Sequence, residues 1–258
     1  MIHALYASLL SLGLLVGMLI LLEAGRRMGA RGIARSPEGG VGGVGAIVGA
    51  VLSLFGLLLA FTVSGAGARF DGRRALVVEE TNAIGTAYLR LDMLPTAAQP
   101  ALREYFRRYV DARLEVYRKL PDIAAARRTL ATANALQGEI WRSAIAGVRA
   151  EGAPPQAAVV LLPALNAMID ITTTRTMAAQ MHPPAVIFVM LFALAFASSL
   201  LAGHGMGSGS RSWLHMLCFA LVIAATIYVI LDLEYPRVGL IRVEAFDQAL
   251  VDLRETMK

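Results

Sequence analysis

Four stretches of this chain, at roughly 4–23, 41–65, 185–203 and 213–231, are apolar and almost free of charge. Each is about 19–25 residues long, and about 20 helical residues cross a hydrocarbon core of ~30 Å. Inside lipid the backbone must satisfy its own hydrogen bonds, so stretches of this kind form helices. The 57% hydrophobic content of the 258 residues is concentrated in these blocks. The first block has no basic residues ahead of it, and Arg26 and Arg27 follow it, so it reads as a retained span rather than a cleaved leader.

Between and beyond the spans the pattern is helical. Arg26 to Gly43 is rich in Gly and Arg and holds Pro37, which reads as a loop. The second span starts near Val41, and no proline interrupts the chain before Pro95. A single helix is therefore expected to leave the bilayer and stop before Pro95. Leu102, Tyr105, Phe106, Tyr109, Val110, Leu114 and Tyr117 share one face of a helix over Pro100 to Leu120. Asp122 is the expected N-cap of a helix from Ile123 to Arg149, ended by Gly152 and Pro154-Pro155. A further helix covers Gln156 to Gln180, and its start is apolar enough to be fully buried. Pro183-Pro184 mark entry to the third span, Gly203 to Ser210 a turn, and Val238 to Leu253 an amphipathic tail. The fold class is all-α: spans one and two in 1–65, a helical extramembrane domain in 66–183, spans three and four in 184–235, and the tail in 236–258.

The net charge of +5 is explained by arginines at helix ends facing anionic headgroups, so the lipid bilayer and not nucleic acid is the expected partner. Cys218 stands alone, which excludes an intrachain disulfide and a thiolate metal site. His3, His182, His204 and His215 show no ligand spacing. No phosphate loop, zinc-protease, nucleophile-elbow or dinucleotide motif is present, so no enzyme activity, metal or cofactor is expected. Four crossings put both termini and the helical domain on one side of the membrane. Arg26, Arg27, Arg31, Arg35 and Arg211 lie on the other side, against Arg69, Arg73, Arg74, Arg175, Arg237 and Arg242 near helix ends on the domain side. The basic-residue rule divides almost evenly between the two and slightly favours a periplasmic domain.

Three features single out the second span. Gly45 and Gly49 form a small-residue pair extended by Ser53, with Gly42, Ala46 and Ala50 as a second small face. Such faces let helices approach closely, either between chains or within one. Beyond the span, Arg69, Asp71, Arg73, Arg74, Glu79 and Glu80 form a charged segment, and the fourth span ends in Asp232, Glu234 and Arg237. Together these are read as a charge cluster at the membrane interface, with Arg69, Arg73 or Arg74 expected to pair with Asp232 or Glu234. Phe188, Phe192 and Phe196 recur every four residues on the third span and read as lipid-facing or core.

The segment Phe61, Ser64, Ala66, Arg69, Phe70 and Arg74 resembles the end of the second membrane helix of bestrophin anion channels, with Ser64 in place of the usual Asn and Gly72 where an acidic residue is usual. The runs Glu79 to Tyr88, Leu231-Asp232-Leu233 and Gly239 to Val243 are similar to the bestrophin-like bacterial membrane proteins, over most of the chain. The resemblance implies a homo-oligomer, a pentamer, that passes chloride or other anions in a bacterial inner membrane, with the helical domain cytoplasmic. It implies an apolar neck at Phe61, Leu57 and Ser53, where Ser53 departs from the apolar pattern. Arg69, Arg73 and Arg74 would then raise the local anion concentration. The acidic calcium-binding cluster of animal bestrophins has no counterpart here beyond Asp232 and Glu234. The alternative is a non-conducting scaffold or sensor whose helical domain binds a ligand or partner.

Overall fold

The computed structural model describes residues 2–35, 42–120, 122–207, 212–237, 239–241 and 244–257. The described residues form eight α-helices: α1 (Ile2–Arg35), α2 (Gly42–Leu89), α3 (Gln99–Arg118), α4 (Ile123–Val148), α5 (Pro155–Gln180), α6 (Ala185–Gly205), α7 (Trp213–Glu234) and α8 (Glu244–Thr256). Four helices are long and apolar enough to cross a membrane. The chain is thus an all-helical, multi-pass membrane protein with a helical insertion between spans two and three. It divides into two compact units, Met1–Ala68 with His182–Tyr235, and Arg69–Met181 with Pro236–Lys258.

Local sequence explains the boundaries. α2 runs unbroken to Leu89 and passes through a short 3-10 turn, Arg90–Met93, ahead of Pro95. The Asp122 carboxylate accepts the Ala125 amide at 2.9 Å, capping α4. Gly152, at φ 78°, supplies the left-handed residue of the α4–α5 turn.

Two expectations need correction. The segment from Arg26 onward does not leave the helix: α1 continues to Arg35. Glu23 holds Arg26 at 3.0 Å and Arg27 at 2.7 Å, three and four residues on, which favours helix there. Pro37 and the rest of 36–41 lie outside the described residues. The start of α5 is not buried all round either. Ala157 and Leu161 are fully buried, but Val159 between them is 75% exposed. Two apolar residues two positions apart point to different sides of a helix, so an apolar run need not be a buried one.

The first unit is built on α1. Leu14, Met18 and Leu22 are buried against Leu191, Ala195, Met216, Ala220 and Ile227 from α6 and α7. Glycines set the spacing of α1 and α6. A Cβ on Gly25 would collide with the Leu200 carbonyl oxygen, one on Gly203 with the Leu22 carbonyl oxygen, and one on Gly29 with that of His204. Gly17 makes room for the Phe196 ring, whose nearest atom would lie 2.7 Å from a Cβ there. Phe188, Phe192 and Phe196 are half-buried against this core. In lipid, apolar surface drives no association by itself, so close backbone contact of this kind carries helix packing.

The second unit has its own core, with Ile84, Leu91, Leu102, Phe106, Tyr109, Ile140, Leu161, Leu165 and Leu250 all fully buried. The tail is part of it: α8 contributes Leu250 and docks through Arg254, which donates twice to Asp111 at 2.8 and 3.1 Å.

The α1–α6 contact yields a direct test. Gly203→Ala puts a methyl group into backbone that cannot yield, and should cost about 1–3 kcal/mol. Gly205→Ala, two residues on, meets open space. Thermal unfolding of the detergent-solubilised protein should separate the two, with only the first variant lowering the midpoint.

Candidate functional site

Within the first unit, α2 is packed on one side only. Phe55, Thr62 and Ala66 are buried. At 3.6 residues per turn these three share a face. The Thr62 hydroxyl is used up locally, donating to the Leu58 carbonyl at 2.7 Å. Ser53, Leu57 and Phe61 fall on the opposite face. All three are exposed, Leu57 at 53% and Phe61 at 67%. They are therefore not part of this chain's own helix core.

The two flanks of that face differ. On one side Gly45, Gly49, Gly56 and Gly67 succeed one another, and among the described residues a Cβ on any of them would meet no atom within 4 Å beyond the helix's own turns. On the other side stand Ile47, 63% exposed, and Leu54, 57% exposed. Packing within the chain thus does not account for Gly45 and Gly49. The surroundings of Gly42 lie outside the described residues.

Past Ala68 the helix enters the second unit. There Asp71, Ala75 and Glu79 share one face of α2 by periodicity. Asp71 and Glu79 are exposed, and Asp71 accepts a bond from Arg74 at 3.0 Å. Of the three arginines expected to line a conduit, Arg74 is held beside that face by Asp71, and the other two lie away from it. Arg69 and Arg73 are turned to the other side of the helix. Arg73 donates to the Ala178 and Met181 carbonyls at 3.2 and 2.7 Å, satisfying the C-terminal end of α5.

Glu80, one residue beyond the exposed Glu79, is completely buried. It accepts from Arg113 Nε at 2.5 Å and from Arg175. Arg175 also reaches Asp247 of α8 at 3.2 Å, and Arg237 grips the same carboxylate at 2.7 and 2.9 Å. The Tyr117 ring lies under all three guanidinium groups, 4.0 Å from Arg175, 4.3 Å from Arg237 and 5.3 Å from Arg113. Its hydroxyl accepts from Arg113 at 2.5 Å. Burial pushes the Tyr117 phenol up to about 12, so it remains neutral in the presence of three cations. A second buried layer joins Tyr109, Thr172 and Gln137 at 2.8–3.0 Å. The network ties α2, α3, α5 and α8 together. Its donors and acceptors are mutually satisfied, which makes it a structural joint rather than a reactive centre.

Asp232 and Glu234, at the end of α7, are also buried. Glu234 lies 3.3 Å from His182 Nδ1, and the His182 ring stacks on Tyr235 at 4.6 Å. Among the described residues no group of three or more His, Cys, Asp or Glu side chains is arranged to hold a metal ion.

Sequence reading missed Arg113, Tyr117, Arg175 and Asp247 as one cluster. One signal was available. Arg113 stands three and four residues from Tyr109, Val110, Val116 and Tyr117 on the apolar face of α3, where a charge must find a partner. Removing one member of a buried pair strands the other. Glu80→Gln should therefore destabilise the protein by about 3–5 kcal/mol. Glu79→Gln should stay within about 0.5 kcal/mol, as surface changes do. Chemical denaturation in detergent, followed by circular dichroism, measures both.

Comparison with known proteins agrees with this architecture. A family model for the bestrophin-like domain matches residues 12–246. The chain also superposes on the crystal structure of a point variant of a bacterial bestrophin homolog from Klebsiella pneumoniae. The TM-score is 0.67 at 16% identity, covering 95% of this chain and 98% of that one, so the likeness is one of fold. No curated protein matches this chain.

Proposed function

The chain belongs to the bestrophin-like family, and from that premise we propose that it assembles in the bacterial inner membrane as a homo-oligomeric ion channel whose axis is lined by α2. The observation that carries the proposal is the exposed face of Ser53, Leu57 and Phe61, which lies opposite the face α2 buries in its own unit. Apolar side chains on such a face are stable around a shared axis, where a ring of them narrows the passage and gates it by dewetting. The flanks favour closure into a ring. A groove of glycines on one side and the ridge of Ile47 and Leu54 on the other are complementary, and a contact between unlike flanks is of the kind that generates rings when its rotation closes. Five subunits is the number implied by the family, and the helical domain and both termini are then cytoplasmic.

Anions, chloride among them, are the ions the family premise implies. A second reading of selectivity has its own support. In the second unit α2 exposes Asp71 and Glu79 on one face, and carboxylates lining a path draw cations instead.

Ion flux into liposomes holding the purified oligomer tests both parts. Phe61→Ala should widen the neck and raise flux several-fold, and unchanged flux removes Phe61 from the gate. The sign of the reversal potential across a potassium chloride gradient identifies the ion. A well-folded oligomer that passes neither chloride nor potassium overturns the channel in favour of a non-conducting scaffold or sensor.

A further inference from the structure

The outer surface of α1 changes character abruptly along a single line. Leu9, Leu12, Val16 and Ile20 are each about half exposed or more, and their spacing of three and four places them on one face. The opposite face, Leu14, Met18 and Leu22, is the one buried against α6 and α7. Extending the exposed line by the same period leads to Arg27 and Arg31, both exposed. The helix does not turn or end between the two kinds of residue, since α1 is continuous to Arg35. Hence the arginines look outward in the same direction as the apolar stripe.

At 1.5 Å per residue, Arg27 lies roughly 7 Å beyond Leu22 and Arg31 roughly 13 Å beyond it. The headgroup layer occupies the several ångströms outside a hydrocarbon core of ~30 Å. Arginine stems fold back along apolar surface and place the guanidinium at that level. Nearby charge does not cancel the pair. Glu23 is shared by Arg26, which bonds it at 3.0 and 3.1 Å, and Arg27, which bonds it at 2.7 Å, so with Arg31 three arginines face one carboxylate. Its bond to Arg27 uses Nε, and the Arg27 side chain stays 63% exposed. We propose that Arg27 and Arg31 form a binding surface for the phosphate of an anionic phospholipid headgroup, with its acyl chains along Leu9 to Ile20. This site stands on α1 alone and does not depend on whether the protein conducts ions.

Delipidated protein, re-exposed to equal amounts of phosphatidylglycerol and phosphatidylcholine of the same chain length, is read by native mass spectrometry. The wild-type protein should retain phosphatidylglycerol preferentially. Arg27→Gln with Arg31→Gln should lose about thirtyfold of that preference, at about fivefold per arginine near a membrane surface. Arg127→Gln with Arg128→Gln on α4 removes the same charge from exposed residues elsewhere and should change nothing. Soluble glycerol phosphate should not be retained, which separates a lipid from a free phosphate. Three results overturn the proposal: no preference in the wild type, an unchanged preference in the α1 double variant, or an equal loss in the α4 variant. Should the double variant fail to fold, Arg31→Gln alone, which breaks no bond to Glu23, should still lose about fivefold.

Discussion

A peptide group in hydrocarbon has no water to fall back on, and the rest of this molecule follows from that constraint. It forces the four apolar stretches into helices, and it leaves packing between them to shape rather than to hydrophobicity. Hence the α1–α6 contact rests on glycines whose missing side chains let carbonyl oxygens approach the neighbouring helix directly. In the second unit, where water drives apolar burial, the same chain builds a conventional core of Phe106, Tyr109, Leu161 and Leu165. α2 belongs to both environments without a break, because nothing in its sequence obliges the backbone to stop between Gly42 and Leu89.

How much of this was legible in the sequence depends on the distance over which each feature is encoded. Spans, the Asp122 cap and the stop before Pro95 are local, and each could be read from a handful of neighbouring residues. The end of α1 misled because arginine and glycine together resemble a loop, whereas here Glu23 pairs with the arginines and Gly25 and Gly29 are packing surfaces. The glycines at 45 and 49 have the same chemistry, yet among the described residues no other part of the chain packs against them. Composition alone does not tell a glycine that touches a neighbour within the chain from one that faces away from it.

The buried charge cluster was illegible for a different reason. Arg113 and Glu80 are 33 residues apart, Arg175 and Glu80 are 95 apart, and Arg175 and Asp247 are 72 apart. Each looks like an ordinary surface charge until the helices are assembled. Glu79 and Glu80 show how fine the distinction is, since adjacent, identical residues end one in solvent and one at zero exposure. The candidate neck lies between these extremes. Periodicity placed Ser53, Leu57 and Phe61 on one face, but only the packed structure identifies that face as the one the chain leaves uncovered.

The order of these residues along the chain has a consequence for how the protein is made. A ribosome delivers Glu80, Arg113, Tyr117, Arg175 and Arg237 before it delivers Asp247, and domains assemble as they emerge. Until α8 arrives, three guanidinium groups share one carboxylate around the Tyr117 ring, and closing that interior would trap an excess of positive charge. Docking of α8 therefore supplies the second carboxylate of the joint and completes its charge balance.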